Sequence, residues 1–149
     1  MSLEKKIMEA IKTAMKEKNQ QALAAMRAVK AELILLKTSG SLSELNEIDE
    51  NKILQKLVKQ RKDSASIFSE QNREDLAIPE LEQAEIISRF LPKQMSENEV
   101  EIVVVEIISK TGANSMKDMG KVMGLINSQL AGKADGKTIS GIVKKMLSN

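Results

Sequence analysis

The residues whose types and spacing suit a chemical task lie between positions 117 and 145. Lys117, Lys121, Lys133, Lys137, Lys144 and Lys145 alternate there with Gly120, Gly124, Gly132 and Gly136. A glycine inside a helix costs roughly 1 kcal/mol relative to alanine, so Gly120 and Gly124, one helical turn apart, need a reason. A strip without side chains admits a close neighbour. Two readings stand side by side. A neighbouring helix packs on the glycines while the lysines are solvated, or the backbone of a polyanion approaches the strip while the lysines neutralise its phosphates. One glycine face can serve either contact. The segment Gly132-Lys133-Ala134-Asp135-Gly136-Lys137 has the residue types of an anion nest, but its spacing matches neither nucleotide-binding glycine fingerprint. It reads equally as a helix stop, a turn and the cap of the next helix.

Other chemistries are excluded or unsupported. The chain has no cysteine and no histidine, which removes thiol nucleophiles, disulfides, Cys/His zinc sites and the commonest general base. No nucleophile elbow, phosphate loop or acidic calcium loop is present in the sequence. No catalytic residue, metal or cofactor is therefore expected. Phe68 and Phe90 are the only aromatics, too few for the stacking platforms that bind single strands. Arg61 falls within an apolar stripe, where a guanidinium must snorkel or find a carboxylate. Arg61, Arg73 and Asp75 read first as a structural polar network and second as a ligand site.

Charge is unevenly placed. From Lys110 onward, seven lysines face Asp118 and Asp135, a surplus of +5 that leaves −3 for the rest of a chain whose net charge is +2. A basic tail on a mildly acidic body suits an anionic partner, without choosing between RNA, another nucleic acid and an acidic protein.

The elements that must position these residues are helices. With 149 residues, 42% apolar and 30% charged, the chain suffices for one domain or two small ones with a core of aliphatics and methionine. Apolar spacing predicts helices over 3–18, 20–36, 50–70 and 79–90. Asn19 can cap the second helix, a polar loop starts at Thr38-Ser39-Gly40-Ser41, and Pro79 suits a first turn. Met8 and Met15 are expected on the core face of the first helix. Leu91-Pro92 ends the fourth helix and divides the chain into 1–92 and 93–149. Ser96-Glu97-Asn98-Glu99 is a capping box for a fifth helix ending at Thr111-Gly112. Its β-branched run could pass for a strand, but apolar positions 100, 103, 104, 107 and 108 decide for helix. The sixth helix follows Ser115, with Asp118 as a weaker cap partner. Met116, Met119, Met123, Ile126 and Leu130 form its stripe, and Gly120 and Gly124 lie beside it. Asp135 caps the seventh. The fold class is all-α and multihelical, with two small helical subdomains.

The string Asp118-Met119-Gly120-Lys121-Val122-Met123-Gly124, followed by residues 132–137, resembles the YqeY family. Lys59-Gln60-Arg61-Lys62-Asp63-Ser64, Arg73-Glu74-Asp75-Leu76 and Phe90-Leu91-Pro92-Lys93-Gln94 resemble it in the same order, so the likeness covers nearly the whole chain. That family is similar to the tail domain of the B subunit of the tRNA-dependent Asp/Glu amidotransferase (GatB/YqeY). The resemblance implies a two-part helical fold and a link to tRNA. The residue pattern itself puts Lys117, Lys121, Lys133, Lys137 and Lys144 on phosphates and makes Gly120 and Gly124 the close-approach strip. The resemblance implies as partners tRNA, and an aminoacyl-tRNA or amidotransferase-related protein. It carries the label carbon–nitrogen ligase with glutamine as amide donor, which no residue here supports alone. Gly136 stands where the large-subunit tail often has proline, which sides the chain with the free-standing family. The alternative function is a protein-docking module that uses the glycine strip. Without a signal peptide or a spanning apolar run, no membrane is expected and the chain reads as cytoplasmic.

Overall fold

The computed structural model describes residues 2–39 and 45–148. These residues form seven α-helices and one 3₁₀ turn, with no strand among them. The all-α, multihelical expectation holds. Helices gather into two compact units, Met1–Leu91 and Pro92–Asn149.

The first unit contains α1 (Leu3–Lys16), α2 (Gln20–Thr38), α3 (Glu47–Glu70) and α4 (Glu74–Ser88). Caps fix where they start. Ser2 and Asn19 each accept a hydrogen bond from a backbone N–H three residues on, and Asn46 does the same for Asp49. Each such cap contributes about 1 kcal/mol. Lys18 turns the chain between α1 and α2 with a positive φ of 55°, so α1 stops short of residue 18. Leu3, Ile7, Met26, Val29, Leu33, Leu54, Leu57 and Ile87 are buried together. Fully burying an aliphatic side chain of this size stabilises by about 1.5–3 kcal/mol.

Along α3 and α4 the buried positions include Ala65, Ala77 and Ala84. Small side chains there let the two helices approach closely, and α3 and α4 form the most extensive helix pair of the unit. That contact explains one departure from the sequence reading. Helix α4 begins a turn before Pro79 because Ala77, fully buried, belongs to its packed face. Glu74 and Asp75 in its first turn complement the helix N-terminus. Pro79 then sits inside the helix and forfeits one backbone bond. A second departure concerns the methionines. Met8 and Met15 are exposed at the margin of α1, while Met26 is the methionine filling the core. Helix α2 extends through Thr38, and the rest of the expected polar loop, residues 40–44, lies outside the described residues.

The second unit contains α5 (Glu97–Thr111), a 3₁₀ turn (Met116–Asp118), α6 (Met119–Gln129) and α7 (Gly136–Leu147). Ser96 caps α5 by accepting from the Glu99 N–H at 3.2 Å. Gly112 ends α5 in the left-handed region with φ 69°. The β-branched run of α5 is helical because Val100, Val104 and Ile107 share one inward face. They join Val122, Ile126, Leu130, Ile139, Val143 and Leu147 in a separate core. No helix of the described residues is long and apolar enough to cross a membrane.

Candidate nucleic-acid interface

The phase of α6 decides what its glycines do. Residues 116–118 wind as a 3₁₀ turn, so Met116 is not in line with the α-helix and is exposed. Val122, Ile126 and Leu130 are buried instead, with Met119 and Met123 only partly so. This places Gly120 and Gly124 on the side away from the core rather than beside an apolar contact, together with Lys121. A Cβ built on either glycine meets nothing within 4 Å. No helix of the described chain therefore packs on the strip. The Asp118 carboxylate accepts from the Asn114 N–H at 3.1 Å and ties down the turn. Ser115 makes no side-chain cap bond.

Helix α7 repeats the pattern, which the sequence reading missed. Ile139, Val143 and Leu147 are buried, and Gly141 faces directly outward between Lys137 and Lys144. A Cβ on Gly141 would also meet open space. The available signal was a mid-helix glycine one turn from a lysine on each side. Between the helices, Gly132 adopts φ 76°. Its carbonyl accepts from Gln94 Nε2 at 2.6 Å, and the Lys133 carbonyl accepts from the Met95 N–H at 2.8 Å. These bonds fasten the turn to the approach of α5 and fix the position of Lys133. Asp135 accepts from the Thr138 N–H at 2.6 Å. A carboxylate thus occupies the N-terminus of α7, so the segment 132–137 works as stop, turn and cap. Any bound anion would be met by the outer lysines instead. None of Lys117, Lys121, Lys133, Lys137 and Lys144 forms an ion pair among the described residues, whereas Lys37, Lys56 and Lys59 of the first unit each do.

The model of the YqeY-like proteins matches residues 4–147. The chain belongs to the YqeY-like family. A curated relative is the altered inheritance of mitochondria protein 41, mitochondrial, of Clavispora lusitaniae. It is 30% identical over 124 residues, 81% of this chain and 72% of the relative.

The remaining candidates of this YqeY-like chain divide in two. Arg61 donates from Nε to Gln83 Oε1 at 3.1 Å and from Nη1 to the Leu57 carbonyl at 3.3 Å, and Gln83 Nε2 donates to Gln21 Oε1 at 2.8 Å. Its partners are thus an amide and a carbonyl rather than a carboxylate, and the chain of bonds links α3, α4 and α2. Arg73 and Asp75 form a separate, exposed bidentate pair at 3.0 and 2.9 Å. The Arg73 guanidinium beside Asp75 lowers the carboxyl below its ordinary value, and Asp75 in turn raises Arg73. No hydrogen bond joins this pair to Arg61 among the described residues.

Proposed function

We propose that the outer faces of α6 and α7 bind the phosphate backbone of folded tRNA, and that the protein acts as an accessory factor rather than a catalyst by itself. The observation that carries this reading is the position of Gly120, Gly124 and Gly141. Each weakens its helix by roughly 0.5–1 kcal/mol relative to alanine, and a Cβ on any of them would meet nothing within 4 Å among the described residues. An external surface that must come close to the backbone accounts for all three. The lysines beside them supply the charge that phosphates need. With two aromatic residues in the whole chain, recognition rests on charge and RNA shape more than on base stacking. The resemblance to the amidotransferase tail adds tRNA as the RNA class.

A protein helix docking on the same strip is the second reading, favoured by Leu125, 45% exposed next to Gly124. Salt separates the two. Lys117, Lys121, Lys133 and Lys137 are replaced together by glutamine, which keeps helix propensity nearly level. Tight binding of folded tRNA at low salt is expected for the native chain. The variant binds more weakly, and its slope of log affinity against log salt is flatter by about 0.7–0.9 for each phosphate that no longer meets a lysine. An absence of tRNA binding at low salt, or an unchanged slope in the variant, overturns the RNA reading and leaves protein docking.

A further inference from the structure

Two grooves of the first unit leave aliphatic side chains open. One, between α2 and α3, is lined by Leu35 and Ile53 among Glu32, Asp49, Lys52 and Lys56. Its two carboxylates balance its two ammonium groups, so its charge selects no partner. The other lies between α4 and the start of α2, has a volume of about 410 Å³, and is lined by Ile78, Leu81, Glu82, Glu85 and Arg89 with Asn19 at its edge. Ile78 is 51% and Leu81 47% exposed.

The charge of α4 is one-sided. It carries Glu74, Asp75, Glu80, Glu82 and Glu85 and no lysine or arginine between residues 74 and 88. The flanking Arg73 and Arg89 pair with Asp75 and Glu85. Glu74, Glu80 and Glu82 have no cation within ion-pair reach among the described residues. Glu74 and Asp75 suit the helix N-terminus, but carboxylates in the second half of a helix oppose its dipole, and the last turn has no basic residue. Glu85 is met by Arg89 at 2.8 Å, but neither core packing nor helix electrostatics explains Glu82 beside two open aliphatic side chains. A basic amphipathic helix would satisfy both. Its apolar side chains would fill the groove, and its cations would lie over the carboxylates. A second copy meeting the chain through this same face would oppose like charges, and RNA phosphates would be repelled there.

We propose that the outer face of α4, centred on Ile78 and Leu81 and rimmed by Glu82 and Glu85, docks a basic amphipathic helix of another protein. The probe is a synthetic helical peptide with leucine at i, i+3, i+4 and i+7 and lysine or arginine at the other positions. A scrambled peptide of the same composition, without an apolar face, is the control. With the full chain, amide NMR shifts on adding the peptide are expected over residues 76–89 and the first turn of α2, and only weakly with the scrambled peptide. Ile78→Ser with Leu81→Ser weakens binding at least about tenfold, the scale of losing two buried anchors. Glu82→Gln with Glu85→Gln weakens it severalfold at low salt, the difference closing at high salt. Leu35→Ser, in the charge-balanced groove, changes nothing. Circular dichroism checks that each variant is folded. Shifts mapping to another face, or unchanged affinity in both α4 double variants, overturn the proposal. So does a native dimer that Ile78→Ser with Leu81→Ser converts to monomer, because a second copy is then the occupant.

Discussion

Small residues face opposite ways in the two units. The described helices of the first unit contain no glycine, and three of their alanines, Ala65, Ala77 and Ala84, are buried where α3 and α4 pack. The second unit holds six of the seven glycines of the chain. Three of them, Gly120, Gly124 and Gly141, lie in helix interiors on the solvent side, and an exposed Gly136 opens α7. An inward small residue is explained by the helix that lies against it. An outward glycine weakens its helix with no such return among the described residues, which is the observation behind the proposed interface. Charge does not divide the units in the same way, since among the described residues only Lys37, Lys56 and Lys59 of the first unit's eleven lysines lie in ion pairs, and Lys110 of the second unit does as well.

The strongest way to break this comparison is to put the same side chain at a buried and an outward position. Ala84→Leu forces extra methylenes into the α3–α4 contact, where overpacking costs typically 1–3 kcal/mol. Gly124→Leu enters open space and improves helix propensity, so stability is expected to hold or rise. Urea unfolding followed by circular dichroism compares the two directly. Equal destabilisation by both would mean that α6 packs on something within the chain. If the tRNA reading is right, Gly124→Leu also loses tRNA binding while folded, and Ala84→Leu keeps it under conditions where it is folded.

What the sequence made legible follows from how local each signal is. Asn19, Ser96 and Asp135 cap the expected helices because a cap involves one side chain and the next three residues. Periodicity found the helices themselves, including the β-branched run of α5. Phase was harder. In α6, Met116 prolongs an apparent stripe, but the 3₁₀ turn winds it out of register, and Val122 takes the core position. That shift moves the glycines from the edge of a contact to the open side. Pro79 misled in the same way, since a local preference for the first turn yielded to the burial of Ala77. Met8 and Met15 have the right spacing for a core face, yet the hairpin partner of α1 covers only Leu3, Ile7 and Ala14 fully. Gly141 was visible as a residue type but not as a site, because its importance depends on facing outward. Arg61 was expected to snorkel or find a carboxylate, and Gln83 could not be foreseen as its partner because it lies 22 residues away.

A finer test separates space from backbone conformation. A Cβ at Gly112 meets nothing within 4 Å, as at Gly124, but Gly112 has φ 69°. Gly112→Ala is expected to destabilise by about 1–2 kcal/mol, the cost of a left-handed non-glycine residue. Gly124→Ala is expected to stabilise by about 0.5–1 kcal/mol, since its helical backbone suits alanine. Opposite signs in the same unfolding assay confirm that open space alone decides nothing. The same sign for both would remove the argument that Gly124 is kept for an outside partner.

The smallest effect concerns how far close packing in the first unit reaches toward its surface. Glu50, in the first turn of α3, lies near the N-terminus of α1. Partial burial raises its carboxyl above the ordinary value, while the Leu3 N–H donating to it pulls the other way, Glu47 raises it further and Lys6 lowers it. Because the shift is upward, the protonated form is favoured in the folded chain. The contribution of Glu50 to stability is therefore most favourable below its ordinary, unfolded value and is lost as pH rises through the raised folded value. Glu50→Gln keeps an oxygen that can accept from Leu3 and removes the charge. The variant should match the native chain near pH 3 and become slightly more stable than it as pH rises, the difference levelling off by neutrality. Paired unfolding curves across that range cancel the opposite dependence of Asp75, which both proteins share. A variant less stable than the native chain at pH 7 would mean that the charge stabilises α1 more than burial opposes it.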